Sequence, residues 1–161
     1  MSTLSIRSAQ PSDVPQILAF IHDLARYEKA EHAVQANEAD IHTALFGPGA
    51  TTHGLLCEQG ETPIGFAIYF FNFSTWTGKR GIYLEDLFVA PEHRHQGAGK
   101  ALLKHLAQLT LAHDCKRFEW SVLDWNEPSI RFYESLGARP MSEWVGYRID
   151  GAQLQALAQS G

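Results

Sequence analysis

A strand that carries two adjacent carboxylates and runs into a glycine-rich loop sets the terms for this chain. The stretch is Tyr83-Leu84-Glu85-Asp86-Leu87-Phe88-Val89-Ala90-Pro91-Glu92-His93-Arg94-His95-Gln96-Gly97-Ala98-Gly99-Lys100. Tyr83, Leu84, Leu87, Phe88 and Val89 mark its first half as a buried strand, and a core strand does not normally tolerate Glu85 and Asp86 side by side. At least one of the two must reach a cleft or a partner. A regular strand points Glu85 and Asp86 to opposite faces; a bulge, common beside active sites, turns both toward one cleft. Pro91 ends the strand, since proline cannot donate to a ladder. The loop from Arg94 to Gly99 then enters an amphipathic helix, with Ala98, Leu102, Leu106, Leu109 and His113 at three-to-four spacing. Unpaired N–H groups and the helix dipole at such a start make an anion site, most often for phosphate.

Three phosphate loops compete for this spelling, and the residues separate them. The Gly-x-x-x-x-Gly-Lys-Ser/Thr loop fails because Arg94 holds the first glycine position and Ala101 follows Gly99-Lys100. The dinucleotide pattern Gly-x-Gly-x-x-Gly fails at Leu102. The third pattern, Gln/Arg-x-x-Gly-x-Gly/Ala, is met by Arg94, Gly97 and Gly99. In this the chain resembles the GNAT superfamily of acyl-CoA-dependent N-acetyltransferases, whose loop of this form holds the cofactor pyrophosphate.

The rest of the chain reads as alternating elements. Leu4 to Arg7 is a strand. Pro11-Ser12-Asp13 opens a helix, capped by Ser12 or Asp13, with Val14, Ile17, Leu18, Ile21, Leu24 and Ala25 on one face through about Tyr27. A second helix spans about Asn37 to Phe46. Strands come next at His53 to Glu58, Ile64 to Phe73 and Lys79 to Val89, then the loop helix to about Asp114 and a strand from Phe118 to Leu123. Asn126 caps a helix with Pro128 in its first turn, ended by Gly137. Two closing strands are expected within 138–149 and a short helix from Ala152 to Ala158. This order gives an α/β fold with a mixed sheet. It is also the GNAT order, which implies a mostly antiparallel central sheet, splayed in the middle and flanked by helices.

Length and composition set limits on function. The 161 residues, 45% hydrophobic and 19% charged, suit one globular domain over 1–161. Cys57 and Cys115 are distant in sequence and suggest a reducing compartment. No apolar run approaches a membrane span, and Met1-Ser2-Thr3 opens without a basic segment or apolar signal core, so a cytoplasmic location is expected. The first 61 residues hold eight acids against three bases and carry the whole net charge of −5. That argues against a nucleic-acid surface and favours steering of a cationic substrate.

Longer strings narrow the resemblance. Leu24-Ala25-Arg26-Tyr27-Glu28, Gly65-Phe66-Ala67-Ile68-Tyr69-Phe70-Phe71, Tyr83-Leu84-Glu85-Asp86 and Trp125-Asn126-Glu127-Pro128-Ser129-Ile130-Arg131-Phe132-Tyr133 are similar to the spermidine/spermine acetyltransferase family. Ser74-Thr75-Trp76 puts a serine where the polyamine branch has an acid. With Leu123-Asp124-Trp125-Asn126 it is more similar to the thialysine branch, whereas Pro128 and Phe132 are closer to the polyamine branch. The resemblance implies acetyl transfer from acetyl-CoA to a primary amine, by direct transfer in a ternary complex, in a homodimer with no metal.

It also implies roles. A protonated amine cannot attack, so Glu85 is expected to take the proton, directly or through a water, with strand neighbours desolvating it and raising its pKa. Tyr133 resembles the general acid for the departing thiolate; on residues alone it reads equally well as a core tyrosine. Leu87, Phe88 and Val89 line the cofactor arm, and backbone N–H groups near Phe88 and Val89 are offered to an oxyanion. Arg94, His95, Gln96, Gly97, Ala98, Gly99 and Lys100 meet the pyrophosphate, and Asn126, Ser129 and Phe132 complete the cofactor set. Glu28, Trp76, Glu85, Asp86, Glu143 and Trp144 are expected to hold the cationic substrate by charge and cation–π contact. Neither cysteine sits beside a histidine or acid in a nucleophilic arrangement, and the histidines around Arg94 have no ligand partner at metal spacing. A lysine or N-terminal acetyltransferase acting on peptides and a non-catalytic acyl-CoA-binding module are the alternatives.

Overall fold

The computed structural model describes residues 3–161; Met1 and Ser2, the start of the stretch read for a leader, lie outside the described residues. The described residues divide into two compact units, one ending at Leu123 and the other spanning 124–161. The first unit is a five-stranded sheet in sequence order, β1 (Leu4–Ser8), β2 (Thr52–Gln59), β3 (Thr62–Ser74), β4 (Lys79–Val89) and β5 (Arg117–Trp120). All neighbours are antiparallel except β4 and β5, which run parallel. Helix α1 (Val14–Tyr27) comes after a short 3-10 turn at Pro11–Asp13, and α2 (Glu38–Phe46) starts at Asn37, whose side chain accepts from the Asp40 N–H. Helix α3 (Ala98–Ala112) lies between β4 and β5, the crossover that a parallel pair requires.

Alternation along β3 decides which helix covers which face. Phe66 and Ile68 join Ile17 and Phe20 of α1, with Leu56 and Phe88, in one buried cluster. Phe71, of opposite parity, packs edge-on against His113 at the end of α3, 5.1 Å between ring centroids. The sheet is therefore covered by α1 on one face and α3 on the other. Arg7 ties β1 to the start of α1 and to β2, with bonds of 2.7 and 2.9 Å to Asp13 and 3.0 Å to Glu58.

Two irregularities of β4 shape the end of the sheet nearest the glycine loop. Pairing with β5 runs from Gly81–Arg117 to Leu84–Trp120 and stops, while β4 continues to Val89. Pairing with β3 slips by one residue: Ile68 faces Asp86, but Tyr69 faces Leu84. Glu85 is the extra residue of a β-bulge, which bends the strand and re-aims the side chains after it.

The second unit holds α4 (Glu127–Ser135) and α5 (Gly151–Gln159). The two strands expected within 138–149 are absent from it; no described residue there is in a ladder. The alternation of that segment promises an extended chain, but a strand exists only where a partner accepts its hydrogen bonds. Among the described residues no helix is long and apolar enough to cross a membrane.

The α1 face is the test of the core. Phe66 is fully buried and stacks on Phe20 at 5.6 Å. Phe66→Ala should lower unfolding free energy by about 3–5 kcal/mol, read as a lower urea midpoint.

Candidate active site

The bulge resolves the problem of the paired carboxylates. Asp86 shares the α1 face with Ile68 and Phe88, whereas Glu85 is exposed. The desolvation expected at Glu85 thus falls on Asp86. Burial pushes the Asp86 carboxyl up to about 6, and the negative charges of Glu85 and then Glu28 add to the effect. Glu28, just past the end of α1, is itself raised by partial burial. The Asp86 carboxyl therefore feels two other acids at the bulge, one from its own strand and one from the end of α1.

Beyond Asp86, the backbone of Leu87, Phe88 and Val89 has β3 on one side and no β5 partner on the other. That is the splay in the sheet. A short 3-10 turn, Pro91–His93, then leads to the glycine loop. Gly97 sits at the N-cap of α3 with φ 88°, in left-handed space that suits glycine, and an added Cβ would meet open space. No side chain caps this helix, and its first internal bond runs from the Ala101 N–H to the Gly97 oxygen. The amides of Ala98, Gly99 and Lys100 point out of the helix end. These donors fit a pyrophosphate.

Arg94 does more than the loop pattern suggests. Its Nε donates to the Val89 oxygen at 2.8 Å, and its guanidinium lies 5.2 Å from the Tyr27 ring centroid and 5.4 Å from that of Phe88. The side chain fastens the loop to the strand end and to the last turn of α1, next to Glu28. Gln96 adds a 3.1 Å bond to Gln59 of β2. His95 is exposed on the loop and Lys100 in the first turn of α3. Tyr27 is a site residue that the sequence reading misses; its place beside Glu28 in the Leu24–Glu28 string is the available signal.

Trp76 is not brought to this cluster within the unit. It is exposed in the β3–β4 hairpin, and from Lys79 to Asp86 the strand alone spans roughly 23 Å at ~3.3 Å per residue. The remaining expected residues belong to the second unit. There the Asn126 side chain caps α4, accepting from the Ser129 N–H at 3.4 Å. Asn126, Ser129 and Tyr133 recur at i, i+3 and i+7 and share one face, and the Phe132 and Tyr133 rings lie 5.7 Å apart. Glu143 and Trp144 are exposed around a turn in which the Trp144 N–H meets the Met141 oxygen at 3.1 Å. A shallow concavity among Tyr147–Asp150 and Gln153 contains none of the expected site residues. Among the described residues no three His, Cys, Asp or Glu side chains gather as metal ligands.

The raised Asp86 pKa has a consequence for stability. The folded state holds this proton more tightly than the unfolded chain, whose aspartate keeps the ordinary value of 3.8. Between about pH 4 and 6 the folded state thus binds more protons, so stability falls as pH rises through that window. Asp86→Asn should make the protein about 1–3 kcal/mol more stable at pH 7 and flatten this dependence, as read by urea unfolding at pH 4.5 and 7.

Comparison with known proteins agrees with this arrangement. The model of the acetyltransferase (GNAT) family matches residues 17–138. The thialysine N-epsilon-acetyltransferase of Sus scrofa is 38% identical over 98% of this chain and 99% of its own length. The L-ornithine N5-acetyltransferase of Arabidopsis thaliana is 31% identical over 94% of this chain and 86% of its own. Among solved structures, an integron cassette protein from the mobile metagenome of V. cholerae superposes with a TM-score of 0.83 at 29% identity, covering 99% of both chains. With a glycine loop at the start of α3, a sheet that parts beside it and a family match over most of its length, the chain belongs to the GNAT acetyltransferase family and is an N-acetyltransferase.

Proposed function

We propose that this acetyltransferase moves the acetyl group of acetyl-CoA to the side-chain amine of a small cationic amino acid of the thialysine or ornithine type, by direct transfer in a ternary complex. The observation that carries the reading is the convergence of Glu28, Glu85 and Asp86 at the bulge, next to the loop whose amides suit a pyrophosphate. Three carboxylates attract an ammonium group and hold it beside the parted strands, and the acid-rich first 61 residues steer it there. The relatives named for thialysine and L-ornithine support an amino acid over a long polyamine, as does Ser74 in place of an acid.

The thioester carbonyl would lie where Leu87 to Val89 have no β5 partner, within reach of unpaired backbone N–H groups that favour an oxyanion. The phosphates would meet the loop from Arg94 to Lys100. Asn126, Ser129 and Phe132 are carried over as further cofactor contacts and Tyr133 as the proton donor to the thiolate, on the similarity of the Trp125–Tyr133 string. Trp76, Glu143 and Trp144 remain candidates for the substrate's distal groups. Direct transfer is favoured over an acetyl-cysteine because both cysteines are buried, and burial with the nearby Glu58 charge pushes the Cys57 thiol up. The two units are proposed to act as one acetyltransferase domain, since the family match runs from 17 to 138 across their boundary. A homodimer is carried from the family resemblance, and a cytoplasmic location from the cysteine usage.

CoA-thiol release measured across thialysine, ornithine, lysine, putrescine, spermidine and a lysine peptide tests this reading. Thialysine or ornithine should give the highest kcat/KM. Preference for spermidine would move the substrate to polyamines, and preference for the peptide would make it a protein acetyltransferase. Acetyl-CoA binding with no turnover on any amine would refute the catalytic reading. Tyr133→Phe should lower kcat roughly 10²-fold with acetyl-CoA binding retained; an unchanged rate would remove Tyr133 from the mechanism.

A further inference from the structure

We propose that His53 and His113, set on two sides of the Phe71 ring, form an acid-sensitive latch that seats the C-terminal end of α3 on the sheet, closed while the imidazoles are neutral and opened when both are charged. The latch lies on the α3 face and does not depend on which amine is acetylated. His53 is on β2 and pairs with Tyr69 of β3. Their rings stack with centroids 5.1 Å apart. Phe71, two residues further along the same face of β3, meets the His53 ring edge-on at 5.6 Å. From the helix side, His113 meets the same Phe71 ring at 5.1 Å. The Arg80 guanidinium of β4 lies over that ring, 4.5 Å from its centroid. Groups from β2, β4 and α3 that carry or accept a positive charge thus surround one phenylalanine.

What faces the two imidazoles supplies no charge to balance them. β3 presents Tyr69 and Phe71, and β4 presents Arg80, which is already positive. Asp114, next in sequence to His113, is bonded to Lys79. Arg7 of β1 is bonded to Asp13 and Glu58. His105, earlier on α3, is about 12 Å from His113 along the helix axis at ~1.5 Å per residue. Among the described residues, neither His53 nor His113 is in an ion pair. His113 is exposed and keeps its water when charged, whereas His53 is half-buried and does not. Burial holds the His53 imidazole below its ordinary 6.5, and positive charge on His113 lowers it further.

The sign follows from linkage. As pH falls through about 6.5, the unfolded chain takes up a proton at residue 53 that the folded state resists. The stability that this histidine contributes is complete above that pH and is lost below it. The strain is released where the structure is held least. The β2–β3 ladder holds His53 in place, but side-chain contact holds His113 to the sheet. Just beyond the helix the chain is anchored again, since the Lys116 N–H donates to the Arg80 oxygen at 3.2 Å. The opening is therefore confined to the last turn of α3, the helix whose other end presents the loop amides.

Histidine ring titration by NMR and hydrogen exchange of the amides of 110–113 test the latch in wild type, H53Q and H113Q. In wild type His53 should titrate below 6.5, and in H113Q its midpoint should move up because a positive neighbour has gone. The protection factors of 110–113 should drop in wild type between pH 7.5 and 5.5 and drop less in either variant. Urea midpoints over the same range should show the same ranking. The Asp86 dependence has the opposite sign but is common to all three proteins, so the difference from wild type is the quantity read. A His53 midpoint that H113Q leaves unmoved would overturn the latch, as would an equal loss of protection in wild type and H113Q. Because H113Q alters an exposed side chain, it carries the test alone if H53Q does not fold.

Discussion

Four rungs of parallel pairing join β5 to β4, and everything the candidate site needs depends on where they stop. They end at Leu84–Trp120, and the bulge residue Glu85 comes next. A strand that kept its register and its partner would bury both carboxylates at great cost, or expel one into the packing of α3. Breaking the ladder on one side and slipping it on the other frees the backbone of Leu87–Val89 and sets Asp86 beside the end of α1. The glycine loop begins within ten residues of Asp86, after the Pro91–His93 turn, and leads directly into α3. Sheet defect, acid cluster and anion-binding loop are thus consecutive in sequence as well as adjacent in space.

The same arrangement places instability where the chemistry is expected. An apolar side chain at Asp86 would pack against Ile68 and Phe88 with no desolvation cost. A carboxylate there, facing two others, is held in place by the surrounding sheet and by the core under α1. Phe20, Phe66 and Phe88 form that core directly beneath the site. Well-packed rings give the rigidity against which a bulged register and a poorly solvated acid persist.

Much of this is legible in the chain of residues alone. Apolar spacing marks α1 and α3, the proline at 91 marks the end of β4, and the glycine spacing marks the loop at the start of α3. Asn37 and Asn126 are legible as caps because their chemistry is local. What misleads is non-local. Two adjacent acids in an apolar run signal that something must give, but whether Glu85 or Asp86 is the inserted residue depends on the register of β3, which no single strand encodes. The strands expected within 138–149 fail for a similar reason, since alternation specifies a face and not a partner. Family likeness groups Trp76 with Glu28, while the length of β4 sets it at the far end of the hairpin. Tyr27 escapes notice because a tyrosine in the last turn of an amphipathic helix looks like an ordinary boundary residue until Arg94 is seen stacked on it.

That stack has a consequence for how this sequence can change. Arg94 is at once a member of the loop, a donor to the end of β4 and a plate lying against rings from α1 and from β4. Replacing Tyr27 alters the environment of Arg94, and replacing Arg94 alters what Tyr27 and Phe88 pack against. Substitutions at these three positions share one set of contacts, so their effects do not add. The end of the first helix and the start of the third, separated by some seventy residues of chain, are bound to drift together or not at all.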